Sequence, residues 1–228
     1  MKKRILTAAI IMTLLLTLAP AALAAPVDTA DGWARDRITA AIEEGFVPED
    51  IQDNYKNVIT REEFCRMAVK WIEYIIEKSI GEILTEEGLT INQNAFYDTT
   101  NQDILAAFTL GIITGEIAPS GETPGVFNPG GNFTRQQAAV MVMNTCKAIG
   151  ADVSSPPTAD FADLNLAAAW ARHGINYARA NGIMAGITTS PPYIFSPNGT
   201  FTRQDSIVLF YNIDPGKLMI EPQEPTEG

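Results

Sequence analysis

The chain has 228 residues, 46% of them hydrophobic, which suffices for one good core. Its 27 acidic against 16 basic residues leave a net charge of −11, which excludes nucleic acid and anionic membranes as partners held by bulk attraction. Any anionic ligand must be held in local pockets, against the long-range field.

In chain order, the first predicted element is a leader. Lys2, Lys3 and Arg4 precede an apolar run from Ile5 to Leu18, and Ala22-Leu23-Ala24 presents small residues where signal peptidase reads. That order predicts a secretory signal over residues 1–24. A membrane anchor fits less well, because the run is short for a span of roughly 20 residues and no basic stop follows it. Cleavage after Ala24 removes three basic residues and no acidic one, so the mature chain is more acidic still. No other stretch is long and apolar enough to cross a bilayer, and the mature protein is expected to be exported, with no membrane insertion.

Self-similarity organises the rest. Ile59-Thr60-Arg61, Phe133-Thr134-Arg135 and Phe201-Thr202-Arg203 share one signal, with the arginines 74 and 68 residues apart. Upstream of each stands an alanine four residues before a glycine, then two apolar residues: Ala41 with Gly45-Phe46-Val47, Ala107 with Gly111-Ile112-Ile113, Ala178 with Gly182-Ile183-Met184. The chain therefore divides into repeats over 25–95, 96–155 and 156–213, with a Pro- and Glu-rich tail over 214–228 expected to be disordered.

Each repeat reads as helix, loop, helix. Trp33-Ala34 and Trp170-Ala171 open the first helix of repeats one and three, whereas repeat two has Thr99 at that place. Apolar residues at three- and four-residue spacing follow, such as Ala171, Ile175 and Ala178. The glycine then ends the helix, because it takes the left-handed conformation without strain. Phe127-Asn128-Pro129 and Phe195-Ser196-Pro197 suit tight turns, and repeat one, shorter here, offers only Tyr55. The second helix begins at the threonine: Thr60 with Glu63 and Thr134 with Gln137 fit a capping box, and Thr202 with Asp205 is a weaker one. The methionine and aromatic stripe after these caps, including Phe64, Met67, Trp71, Met141 and Phe210, reads as core packing. In repeat one this helix is expected to run on toward Ile83. No repeat buries its apolar faces alone. The expected fold is all-α, three helix-loop-helix units closing as a pseudo-three-fold bundle, or spindle, with short extended loop segments.

Chemistry-bearing sets are scarce. Cys65 and Cys146 lie four and eleven residues beyond their arginines, an offset of two helical turns. Parallel helices would hold them about 10 Å apart in height, beyond the roughly 7 Å a disulfide tolerates, so two separate thiols are expected. The lone His173 reads as a surface helix residue. No Ser-His-Asp, Cys-His or zinc-ligand set is visible, so no enzyme activity, metal or cofactor is expected. Asn132-Phe133-Thr134 and Asn198-Gly199-Thr200 match glycosylation sequons but lie in the cap and turn signals.

Each arginine occupies the first helical position, where the helix already carries about half a positive charge. Two readings are open there. With free backbone amides the arginine makes an anion site; alternatively it bridges to a neighbouring repeat and holds the bundle together. The tryptophans likewise fit either a sugar-stacking face or a helix-start wedge in the core.

The pattern of Trp-Ala, Gly with two apolar residues, Phe-x-Pro and Thr-Arg-(Glu/Gln) resembles the S-layer homology repeat, over residues from about 30 to 212. Phe96-Tyr97-Asp98 and Phe161-Ala162-Asp163 also match its opening. The resemblance implies a three-pronged helical spindle that binds pyruvylated secondary wall polysaccharides in grooves between repeats. It further implies secretion to the cell wall or S-layer of a Gram-positive-type bacterium. Carried over by position, the polymer-contacting residues are Arg61, Arg135, Arg203, Trp33 and Trp170, with Gly115 and Gly186 near the grooves. Departures are the missing tryptophan of repeat two, and the missing second glycine and Phe-x-Pro loop of repeat one. A structural or adaptor protein using the same fold to hold other envelope proteins is the alternative.

Overall fold

Three threonines start three helices in a computed structural model that describes residues 27–121 and 123–218. The leader and most of the tail lie outside the described residues. The elements are α1 (Arg35–Glu43), α2 (Arg61–Ile76), α3 (Ile80–Glu86), α4 (Gln102–Thr109), α5 (Arg135–Ala148), α6 (Arg172–Ala180), α7 (Arg203–Tyr211) and α8 (Pro215–Leu218). The fold is all-α: among the described residues, extended segments meet only in isolated bridges.

Local chemistry accounts for the helix ends. The Thr60 hydroxyl accepts from Glu63 N at 3.1 Å, while the Glu63 carboxylate accepts from Thr60 N at 3.0 Å. Thr202 and Asp205 make the same reciprocal pair. In α5 the Gln137 side-chain oxygen accepts from both the amide and the hydroxyl of Thr134, at 2.9 and 3.0 Å. At the other end, Gly45, Gly111 and Gly182 all take positive φ, from 70° to 84°. Ile112 N and Ile183 N then donate to Ala107 O and Ala178 O, both at 2.9 Å, which satisfies carbonyls the helix leaves open.

Two expectations are corrected. The second helix of repeat one does not run to Ile83. It stops at Ile76, Glu77 turns left-handed at φ 56°, and Ser79 caps the separate α3 with a capping box to Glu82. A local cap here overrides an apolar spacing that continues through Ile80 and Ile83. The tail also keeps helical structure past Asp214, in the turn of α8.

The Phe-x-Pro turns put Asn128 and Ser196 at φ 58°. The aspartates of the two repeat openings hold these turns: Asp98 accepts from Phe127 N and Asn128 N, Asp163 from Phe195 N and Ser196 N, all at 2.7–2.9 Å. Repeat one lacks those turn residues, yet Asn54 takes φ 50° between Asp53 and Tyr55 and makes the equivalent bend. Asparagine is among the few residues that enter this region readily.

The contacts between segments run in a ring. Thr60 bridges Asn132, Thr134 bridges Thr200, and Thr202 bridges Val58. In the same order Glu62 N donates to Pro129 O, Gln136 N to Pro197 O and Gln204 N to Tyr55 O, at 2.9–3.1 Å. The helices follow suit: α2 packs on α4, α5 on α6 and α7 on α1, and α2 also touches both α5 and α7. Gly174 lets α6 approach the backbone of α5, since a Cβ there would stand 2.8 Å from the Val140 Cα. Where α2, α5 and α7 meet, the Phe64 ring lies 4.6 Å from Phe133, 5.3 Å from Phe210 and 6.3 Å from Phe201. The corresponding positions of α5 and α7 carry Ala138 and Ser206, both fully buried, so one large ring occupies space that three could not share.

Candidate functional site: the Arg61 groove

The first helical residue is an arginine in α2, α5 and α7, and the three are held in graded fashion. The Arg203 guanidinium donates through Nη1 to Asp53 O and pairs through Nη2 with the Glu63 carboxylate. Arg135 donates through Nε to Phe195 O at 2.7 Å and through Nη2 to Ala185 O at 2.8 Å, and lies over the rings of Phe195 and Phe201. Arg61 donates through Nε to Phe127 O at 2.9 Å and lies 5.1 Å from the Phe127 ring centre. Its Nη1 and Nη2 meet no acceptor among the described residues.

Arg61 is only 6% exposed. Burial pulls its guanidinium below the ordinary arginine value, with the Glu116 carboxylate acting in the opposite direction. An arginine stays charged under such a shift, so the groove holds a cation with unused donors. Burial lowers Arg135 as well, opposed by Asp205 and Asp163.

Arg61 opens into a cavity of about 500 Å3. Its wall is drawn from the segment after α4 (Ile112, Thr114, Gly115, Glu116), one face of α5 (Gln137, Val140, Met141, Asn144) and Trp170. Glu116 is anchored by Asn128 Nδ2 at 3.0 Å, and Asn144 Nδ2 by Ile112 O at 3.1 Å. Gly115 has φ 84°, and a Cβ there would fall 2.6 Å from the Phe96 ring and 2.7 Å from Val126 O, so only glycine lets the wall fold this tightly. Trp170 stands 58% exposed ahead of α6. The cavity thus offers an indole face, a cation with free donors, a carboxylate and amides: groups that suit an acidic sugar.

No protein-family model matches the chain. Over 207 residues, 90% of this chain, it is 25% identical to the Surface-layer 125 kDa protein of Lysinibacillus sphaericus. The similarity points to a cell-surface role. The match spans only 16% of that relative's length. No helix among the described residues is long and apolar enough to cross a membrane.

Of the residues predicted from sequence, Arg61, Gly115 and Trp170 come together in this cavity. Arg135 and Gly186 form a second group, because Arg135 donates to the carbonyl of Ala185, the residue before Gly186. A Cβ on Gly186 would lie 2.8 Å from Ile194 O, which ties that glycine to backbone packing. Arg203 is closed by its ion pair, and Trp33, 52% exposed ahead of α1, takes no part in the Arg61 cavity. His173 is exposed as expected, with Nε2 2.7 Å from Val153 O. Glu116 and Asn144 also line the cavity, as does Gln137, which in the sequence reads only as a cap. Nothing in their local sequence marks them, since each faces the cavity through packing between repeats.

Proposed function

We propose that this chain is a non-covalent cell-wall anchoring module, closed as a pseudo-three-fold spindle, that binds an anionic, pyruvylated secondary wall polysaccharide. The observation that carries the reading is the convergence of Arg61, Gly115 and Trp170, from three different repeats, on one cavity. In this scheme the Arg61 guanidinium takes the ligand carboxylate through its two free amino groups. Trp170 covers the apolar face of the sugar ring, and Glu116 and Asn144 take hydroxyls. Burial of Arg61 strengthens the attraction by excluding water, and the net negative charge of the chain makes that attraction short in range. Similarity to a surface-layer protein supports an envelope address.

Co-sedimentation with purified wall sacculi tests the proposal, before and after acid removal of the secondary polymers. Binding to intact walls and loss on extracted walls is the expected result. Undiminished binding to extracted walls would show that peptidoglycan or a wall protein is the partner.

A further inference from the structure

The third helical residue after Thr60 does two things at once. Glu63 accepts from Thr60 N with one carboxylate oxygen and pairs with Arg203 through the other. One residue thereby caps α2 and closes the arginine of the adjoining repeat. Asp205 spends Oδ2 on the amide and hydroxyl of Thr202, at 3.0 and 2.6 Å, and being one methylene shorter it acts on Arg135 only through its field. Gln137 holds the corresponding place beside Arg61 and lines the same cavity. Its one side-chain oxygen is spent on Thr134. What remains is the amide Nε2, a donor with no acceptor among the described residues, where Glu63 presents an oxygen.

Two sets of donors, Arg61 Nη and Gln137 Nε2, therefore face one cavity, and neither satisfies the other. Only a group that accepts from both completes the arrangement, and a ligand carboxylate has the oxygens to do so. We infer that Gln137 is a ligand-binding, specificity-determining residue of this groove, its amide sharing the ligand carboxylate with Arg61. A carboxylate at the same position closes the groove, as Glu63 closes Arg203. This deepens the proposed wall-polymer reading and rests on it for the nature of the ligand.

The test is Gln137→Glu, which keeps an oxygen for Thr134 and so retains the cap. Two measurements are made: an NMR pH titration of the introduced carboxyl group and co-sedimentation with intact sacculi. A carboxyl that titrates clearly below the ordinary glutamate value of about 4.3, with wall binding weakened by about tenfold or more, is expected. A carboxyl at the ordinary value overturns the geometry whatever the ligand is. A lowered carboxyl with unchanged wall binding overturns the ligand role of Gln137 while leaving the pairing geometry intact. Failure of the polymer reading is seen separately, as parent protein that binds acid-extracted walls undiminished.

Discussion

Cys65 and Cys146 are buried and unpaired, as their two-turn offset on parallel helices predicts. Burial pushes the Cys146 thiol up to about 12 and Cys65 further in the same direction. An unfolded thiol ionises near 8.5, so as pH rises the unfolded chain loses these protons first. Their contribution to stability is therefore intact below about pH 8.5 and declines above it, toward the folded values. Native protein at pH 9 should resist alkylation by iodoacetamide, and the urea midpoint should fall between pH 8 and pH 10. Fast alkylation of either native thiol would contradict the burial. Thiols of this kind are legible from spacing alone. So are the arginines, repeated after each threonine, and the glycines that end the first helices. The distinct roles of Glu63, Gln137 and Asp205 are not legible, because within one repeat all three read as caps. Their difference appears only when the neighbouring repeat's arginine is set beside them.

The capped helices behave as the sequence leads one to expect, with one refinement. Thr60 offers its hydroxyl to the Glu63 amide, whereas the Thr134 hydroxyl is a donor to the Gln137 side chain. Thr60→Ala should cost about 1 kcal/mol, the usual value for a lost N-cap, and Thr134→Ala less. Urea unfolding should show a larger midpoint shift for Thr60→Ala with slopes unchanged, and the reverse order would refute the assignment. The break between α2 and α3 escapes a periodicity reading, because Ile72, Ile76, Ile80 and Ile83 keep the helical spacing across it. Ser79 with Glu82 is a capping signature in plain view, but it competes with that spacing, and the cap prevails. Gly174 likewise reads as a weakness inside α6 until the backbone of α5 is found against it.

Spacing leads one to expect a ring at the scale of the molecule, but not its connectivity. The helix contacts instead show which elements meet: α2 packs on α4, α5 on α6, and α7 returns to α1. Phe64 is the keystone of that arrangement, with partners from the segments preceding α5 and α7. Phe64→Ala should cost about 3–5 kcal/mol, as for other buried phenylalanines, and lower the unfolding midpoint of the whole chain in one transition. Loss confined to one part of the chain would speak against a shared core. The same ring sets Arg61, Gly115 and Trp170 around one cavity, while the equivalent arginine in α7 is spent on Glu63. Two arginines that their motif makes equal therefore differ in the donors they leave free. The most direct test is calorimetric titration of released wall polymer into Arg61→Ala and Arg203→Ala, each first shown to retain its helical circular dichroism. Loss of binding in Arg61→Ala with near-parent binding in Arg203→Ala is predicted. Parent-like binding by Arg61→Ala would contradict the assignment of this groove.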